Sequence, residues 1–183
     1  MDPLVGKPRG RRPSCVILPK VKRLADPYSD LEVIDSRAPR FNQATIGLLS
    51  ALAVATGWWW LLGILAAQLV VGLTVGRRFC LPCLAYFELV QPRFREGPLE
   101  DARPPRFANL VGAVFLAAAT LSYAVGVETV GGVLGGLVAA LALLAAATGF
   151  CTGCEAYKLG RLLLGRPFVS CPLPPQPAAR RLG

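Results

Sequence analysis

The chain has 183 residues, of which 54% are hydrophobic and 17% are charged, against about 25% charged residues in an average soluble domain. It contains no histidine, which excludes Ser-His and Cys-His triads, His-ligated haem and zinc sites built from two cysteines and two histidines. All 20 Lys and Arg residues behind the net charge of +9 lie outside three charge-free runs, which indicates anionic lipid headgroups and not nucleic acid as the partner.

The three charge-free runs cover residues 41–76, 107–127 and 129–154. Each is at least as long as the ~20 apolar residues that a helix needs to cross a bilayer. The sequence therefore predicts an all-α integral membrane protein. Residues 1–30 are basic and lack the apolar core of a cleavable signal, and we expect them to form a disordered cytoplasmic arm.

Four transmembrane helices are predicted in chain order, at about 42–56, 58–78, 107–125 and 130–150. The first run is read as a hairpin because Gly57 and three tryptophans interrupt it; one long tilted helix is the alternative. The second hairpin turns at Glu128. Both turns lack Lys and Arg, which all lie in the N-terminal arm, the 77–106 linker and the C-terminal segment. The positive-inside rule then predicts an inner (plasma) membrane protein with both termini in the cytoplasm.

Two sequence segments occur twice. Residues 35–41 (DSRAPRF) recur as 101–107 (DARPPRF), and residues 79–86 (FCLPCLAY) recur as 150–157 (FCTGCEAY). Two crossings return each half to its starting side, which predicts parallel two-helix repeats related by an axis along the membrane normal. Repeat 1 spans about 35–90 and repeat 2 about 101–164, within a membrane domain of residues 31–168. A Pro-rich cytoplasmic tail, residues 169–183, follows.

These repeated segments, with Phe41-Asn42-Gln43-Ala44 and Phe107-Ala108-Asn109 opening the spans, resemble a bacterial membrane-protein family. The family is catalogued as domain of unknown function 4395. The resemblance covers about residues 30–168 and includes both halves. It implies a small multi-pass bacterial membrane protein and supplies no activity, so the function is argued from the residues.

The two C-x-x-C motifs are the strongest chemical signal. Pro82 favours the first turn of a new helix, so Cys80 and Cys83 should straddle a helix start on the cytoplasmic face. A helix N-terminus and nearby arginines favour the thiolate, and Gly153 plays a similar part for the second motif. We expect Cys80 and Cys151 to be exposed, attacking thiols, with Cys83 and Cys154 as resolving thiols. Symmetry should place the two pairs opposite each other, close enough to act on one substrate or one ion.

Several functions fit these motifs. The first is thiol–disulfide redox chemistry or the handling of sulfur species, with a cytoplasmic thioredoxin-like protein or sulfurtransferase as partner. A second is a four-cysteine site for zinc or an iron–sulfur cluster, built from Cys80, Cys83, Cys151 and Cys154. A small transporter of a sulfur-containing solute is a third, and cysteines that merely pack are the structural alternative. The sequence leaves open whether the protein is an enzyme. Cys15 and Cys171 have no paired neighbour and are expected to share no role with the motifs, with resolving thiols as the alternative.

Other polar and small residues recur at the span entrances. Arg40 and Arg106 are read as anchors that reach lipid phosphates, or as an anion-attracting group beside the thiols. Asp35 and Asp101 should pair with the arginines two residues on or cap helices. Amides at these entrances should bond between helices; they are Asn42, Gln43 and Asn109. Glycines at residues 131–136 should pack helix 4 within the same chain, against helix 2, before they form any dimer.

Overall fold

A computed structural model describes Tyr28, residues 32–94 and residues 97–165 of the chain. The predicted Pro-rich tail, Cys15, Cys171 and the predicted disordered arm other than Tyr28 lie outside the described residues. The described part consists almost entirely of helices and contains one short two-stranded sheet.

Seven α-helices follow one another in the described residues: α1 (Arg37–Thr56), α2 (Trp59–Thr74), α3 (Leu81–Ala85), α4 (Gln91–Phe94), α5 (Arg103–Ala124), α6 (Glu128–Thr148) and α7 (Thr152–Leu163). A π-helical turn, Tyr86–Val90, joins α3 to α4 in one continuous helical segment. The four predicted long helices are α1, α2, α5 and α6. The first run is divided into two helices as predicted, because α1 ends at Thr56 and α2 begins at Trp59.

The helix starts differ from the predicted ones because counting apolar residues misses the first, basic turn. Both α1 and α5 begin four or five residues earlier than predicted. Asp35 Oδ1 accepts the Arg37 amide at 2.9 Å and Asp101 Oδ1 accepts the Arg103 amide at 2.8 Å, so each aspartate satisfies a donor at a helix start. The aspartates precede the N-cap residues, which are Ser36 and Ala102. Asp101 also forms the expected ion pair with Arg103.

Two strands, β1 (Val33–Asp35) and β2 (Leu99–Asp101), form an antiparallel pair that the all-α prediction missed. In this pair Val33 faces Asp101, Ile34 faces Glu100 and Asp35 faces Leu99. An offset of 66 residues makes β2 the sequence equivalent of β1. Val33 therefore faces the equivalent of Asp35, Asp35 faces the equivalent of Val33, and Ile34 faces its own equivalent. A two-fold relation between equivalent segments produces this self-complementary register.

The long helices pack across the two halves of the sequence. α1 lies against α6 and α2 against α5, while α5 and α6 also contact each other. Buried apolar residues from α1, α2 and α5 form the centre of this bundle, among them Ile46, Leu62, Leu65 and Leu116. The first helix of each repeat is therefore held by the second helix of the other repeat.

Two glycines of α6, Gly131 and Gly135, pack against other parts of the same chain, as predicted. A Cβ on Gly131 would overlap the Tyr123 ring, and one on Gly135 would lie 2.9 Å from Val54 of α1 and 3.1 Å from Leu62 of α2. The predicted contact with helix 2 is therefore present through Leu62, but α1 is the main helix packed against α6.

In the part of the chain that the structure describes, two helices are long and apolar enough to cross a membrane. These are α5, with 22 residues and a mean hydropathy of 1.6, and α6, with 21 residues and a mean hydropathy of 2.3. α2 is apolar but shorter, with 16 residues. α2 ends at Thr74, four residues before the predicted end, because a 3-10 turn at Arg77–Phe79 follows Gly76.

Candidate functional site

The first C-x-x-C motif forms a disulfide. Cys80 precedes α3 in an extended conformation, Pro82 lies in the first turn, and Cys80 and Cys83 are joined with a Cα–Cα distance of 5.2 Å. The helix start was predicted correctly at this motif. The prediction that Cys80 is exposed is wrong, because only 5% of its surface is accessible. Covered and oxidised, Cys80 is not a free attacking thiol in this structure.

Polar contacts fix the segment before this disulfide. The buried Arg77 donates from Nη1 to the Val33 carbonyl at 2.9 Å, which ties the turn to β1. Gln68 Nε2 of α2 donates to the Phe79 carbonyl at 2.6 Å. Because both contacts lie within the three residues before Cys80, they hold the motif against the helical bundle.

The second C-x-x-C motif holds two free thiols. Cys151 precedes α7 with backbone angles of φ −95° and ψ 106°, close to the −84° and 103° of Cys80. Its sulfur accepts the Cys154 amide at 3.4 Å and Gln43 Nε2 at 3.3 Å. Both cysteines are partly exposed. The two motifs thus share one local geometry and differ in oxidation state.

The environment separates the acidities of these two thiols. The pKa of Cys151 falls from its ordinary 9.0 to about 6, chiefly because the Cys154 thiol donates a hydrogen bond to its sulfur. Partial burial opposes that fall, while the Cys154 amide and Gln43 add to it. The pKa of Cys154 rises well above its ordinary range, because its proton is held by Cys151 and because burial disfavours its charge. Cys151 is therefore the thiolate of the pair at neutral pH.

Two aromatic pairs anchor the motifs in the same way. The rings of Phe41 and Tyr86 lie 5.8 Å apart, and those of Phe107 and Tyr157 lie 5.6 Å apart, both in a tilted arrangement. Each pair joins the start of a long helix to the helix after its own C-x-x-C. Tyr86 also donates to Asp35 Oδ2 at 2.9 Å.

Gly153 brings the second motif close to α5. A Cβ at this position would lie 2.7 Å from the Ala108 Cβ and 2.9 Å from its Cα. Because backbone atoms cannot yield as a flexible side chain can, only glycine permits this approach. The contact sets how near Cys151 comes to the start of α5.

The repeated arginines lie beside the cysteine motifs of the opposite repeats. A Cβ on Gly149, whose φ is +76°, would overlap the Arg40 guanidinium, so Arg40 covers the end of α6 two residues before Cys151. Arg106 lines a cavity of about 50 Å³ together with Cys80 and Cys83. Arg40 is thus near the free thiols and Arg106 shares a cavity with the disulfide, and their role stays a prediction.

An amide pair stands between the two motifs. Asn42 Nδ2 donates to Asn109 Oδ1 at 3.3 Å, which confirms the predicted interhelical bonding between α1 and α5. Both residues line the 50 Å³ cavity at Cys80 and Cys83, and both also line a cavity of about 380 Å³ at Cys151. The two motifs therefore face separate cavities, and the expectation that they act together on one substrate or ion is not met in this structure.

The four cysteines do not form a metal site. Within the described residues, no three Cys, Asp or Glu side chains come close enough to hold a metal ion. The Cys80–Cys83 disulfide removes two of the expected thiolate ligands. The four-cysteine zinc or iron–sulfur arrangement is consequently not assembled.

Gln43 is the site residue whose role the sequence did not reveal. It was expected to bond between helices, but its partner is Cys151, 108 residues away. Long glutamines at helix entrances are common, and only the packing of α1 against α6 brings this one to the sulfur. The equivalent position in repeat 2 is Asn109, which faces the cavity at the first motif.

Replacing Gln43 with leucine should raise the pKa of Cys151 by about one pH unit, because a hydrogen bond to a charged group contributes about 1.5 kcal/mol or more. The measurement is the pH dependence of iodoacetamide alkylation at Cys151, followed by peptide mass spectrometry. Thr45→Val is the matched control, since Thr45 bonds only to the Phe41 carbonyl of its own helix. Equal midpoints in the Gln43→Leu and wild-type proteins would contradict the contact.

Comparison with known protein families identifies the family of this chain. The family model described as domain of unknown function DUF4395 matches residues 34–161, more than two thirds of the chain. No curated protein and no solved structure matches the chain significantly.

Proposed function

The chain belongs to the DUF4395 family, and from its site we propose that it is a membrane thiol–disulfide redox protein whose active pair is Cys151 and Cys154. One observation carries the proposal: the Cys151 sulfur accepts hydrogen bonds from the Cys154 amide at 3.4 Å and from Gln43 Nε2 at 3.3 Å, beside a free Cys154 thiol that can form a disulfide with it. The equivalent cysteines of repeat 1 support it, since the same backbone geometry there carries a disulfide.

The pair can perform a balanced exchange. The Cys151 thiolate attacks one sulfur of a partner disulfide, which forms a mixed disulfide and releases one partner thiolate. Cys154 then gives its proton to the released partner thiolate and attacks the Cys151 sulfur, which closes the Cys151–Cys154 disulfide and releases the second partner thiolate. The protein loses two electrons and the partner gains them. A thioredoxin-like protein or a sulfurtransferase of the cytoplasm is the proposed partner class.

A second candidate function is the handling of anionic sulfur species such as thiosulfate or a persulfide. The position of Arg40 favours it, because the guanidinium covers the end of α6 beside Cys151. Within the described residues Arg40 has no carboxylate partner, so its charge is available to an anion. Arg106 has the corresponding position at the other motif.

We place this site on the cytoplasmic face of a four-span membrane protein with both termini inside. Large apolar side chains of all four long helices are exposed, as a lipid-facing surface requires; they include Leu48, Ile64, Val114 and Val133. No Lys or Arg lies at either hairpin turn. The self-complementary β1–β2 register supports a two-fold relation between the halves, which we assign to an axis along the membrane normal.

The topology is tested with reporter fusions. A cytoplasm-dependent reporter placed after Gly183 should be active, and an export-dependent reporter after Gly57 or Gly126 should be active on the opposite side. These turns separate α1 from α2 and α5 from α6. Activity of an export-dependent reporter after Gly183 would contradict the proposed orientation.

The exchange is tested with oxidised glutathione as the small disulfide. In a Cys15→Ser/Cys171→Ser background, the reduced protein should form a Cys151–Cys154 disulfide. Adding Cys154→Ser should stop the reaction at a glutathione adduct on Cys151, because the resolving thiol is absent. Adding Cys151→Ser should yield almost no adduct at pH 6. A protein that remains fully reduced under these conditions would refute the proposed function.

A further inference from the structure

The cavity at Cys151 has the size and polarity of a site for an amphipathic small molecule. Its volume of about 380 Å³ falls in the range of about 300–1,000 Å³ found for ligand pockets. Polar groups are gathered at one end, where Asn42, Gln43, Asn109, Cys151 and Thr152 line it. The rest of the wall is apolar and comes chiefly from α5 and α6; it includes Val111, Phe115, Leu137, Val138 and Leu141.

The apolar end opens toward the outer surface of the bundle. Leu137 and Leu141 line the cavity and still expose 42% and 39% of their surface. They lie on α6, one of the two helices that are long and apolar enough to cross a membrane. A ligand with a hydrocarbon tail can therefore enter from the lipid side without crossing water.

The polar end contains an acceptor that lacks a donor. Asn42 is only 3% exposed, and within the described residues its Oδ1 has no hydrogen-bond partner. A buried unsatisfied acceptor costs about 1–3 kcal/mol, and such groups are rare in folded proteins. Gln43 Nε2 uses one hydrogen on Cys151 and retains a second. The site thus offers both an acceptor and a donor to a polar head.

We propose that this cavity binds a membrane quinone, with its ring at Cys151 and its tail between α5 and α6, and that the quinone oxidises the Cys151–Cys154 pair. This inference rests on the proposed redox function and names its electron acceptor. A quinone carbonyl accepts from an amide N–H, and the quinol hydroxyl formed by reduction donates to Asn42 Oδ1. A ligand with a long acyl chain would also fit between the apolar walls. Forming an acyl thioester, however, uses only one thiol and gives Cys154 no role.

The reaction balances in atoms and electrons. The Cys151 thiolate adds to a ring carbon of the quinone and forms a sulfur–carbon bond. Cys154 gives up its proton and attacks the Cys151 sulfur, so that the disulfide forms as the sulfur–carbon bond breaks. Two electrons leave with the ring, which takes up the Cys154 proton and one proton from solution to become the quinol. The dithiol is oxidised and the quinone is reduced.

The experiment uses the full chain in lipid nanodiscs, reduced and kept anaerobic, with a decyl benzoquinone and a short-chain naphthoquinone as probes. Quinone reduction is followed by absorbance and the cysteines by differential alkylation. The expected result is saturable reduction of one quinone with one Cys151–Cys154 disulfide formed for each quinol. Protein that exchanges with oxidised glutathione but reduces neither quinone would overturn this inference and leave the proposed function standing. Failure of both reactions would refute both.

A matched pair of variants locates the reaction. Ala142 lines the cavity, whereas Ala140, on the same helix, is exposed and does not line it. Ala142→Trp should raise the quinone concentration at half-maximal rate by about tenfold or more, since a bulky ring would fill the wall of a pocket this size. Ala140→Trp should leave that concentration unchanged. Equal values for the two variants would show that quinones react with the sulfur outside the cavity, and would overturn the assignment.

Discussion

Replacing Cys151 with serine is expected to slow iodoacetamide alkylation of the reduced protein about twentyfold at pH 6. With a pKa of about 6, Cys151 is about half thiolate at that pH, whereas an ordinary cysteine is about 0.1% thiolate. These thiolate fractions differ by roughly 500-fold. A more acidic thiolate is also a weaker nucleophile, which divides this difference by about twenty and leaves the expected effect on the rate. The background carries Cys15→Ser and Cys171→Ser, and alkylation is followed by mass spectrometry in the peptide that holds residues 151 and 154, so that Cys80 and Cys83, which reduction also converts to thiols, do not contribute.

The pH dependence of the alkylation rate shows whether the pKa of Cys151 is lowered. Only the deprotonated sulfur reacts, so the alkylation rate of Cys151 should be near its plateau at pH 7 and fall about tenfold for each pH unit well below 6. Cys154→Ser should preserve this midpoint, because the serine hydroxyl can still donate to the Cys151 sulfur. Cys154→Ala should raise it, since that donation is the main cause of the low pKa. A midpoint near 9 in the parent protein would contradict the assignment of Cys151 as the thiolate.

Replacing Asp35 with alanine should destabilise the protein by about 3 kcal/mol or more. The carboxylate is only 2% exposed. It accepts from the Arg37 amide at 2.9 Å, from the Tyr86 hydroxyl at 2.9 Å and from the Gly97 amide at 3.0 Å. The substitution removes the acceptor that joins the start of α1 to the helix after the first C-x-x-C and to the segment before β2.

The matched control for this variant is Asp101→Ala, the equivalent position in repeat 2. The Asp101 partner, Arg103, has a side chain that is 58% exposed, and exposed ion pairs contribute only about 0–1 kcal/mol. Thermal unfolding in detergent should show a midpoint about 10 °C lower for Asp35→Ala and a much smaller change for Asp101→Ala. Similar losses in both variants would show that burial of Asp35 does not decide its contribution.

The sequence predicted those features that depend on local patterns. Charge-free runs located the four long helices, and Pro82 located the helix start between Cys80 and Cys83, because both signals lie within a few neighbouring residues. The β1–β2 pair was not predicted, because strands of three residues are too short to show an alternating pattern of apolar and polar residues. Their pairing also joins segments 66 residues apart. The repeat itself was visible, but its self-complementary strand pairing was not.

The candidate site was predictable only in part. Both C-x-x-C motifs were identified, with Cys151 and Cys154 in the proposed roles. The contrast between a buried disulfide and a free pair was not foreseen, because both motifs share the same cysteine spacing. The contacts of Cys151 with Gln43 and of Arg40 with Gly149 depend on helix packing over more than 100 residues of sequence. Neither contact can be recognised from the residues next to it in the sequence.

The central claim is that Cys151 and Cys154 form a reversible redox pair, and its most direct measurement is a redox titration of the full chain. The protein is equilibrated anaerobically at pH 7 with graded ratios of reduced to oxidised dithiothreitol, quenched with acid and analysed by differential alkylation and peptide mass spectrometry. We predict that Cys151 and Cys154 pass together between dithiol and disulfide in one two-electron transition, with the same midpoint in both directions. Cysteines that remain reduced at every ratio, or that oxidise independently of each other, would contradict the account.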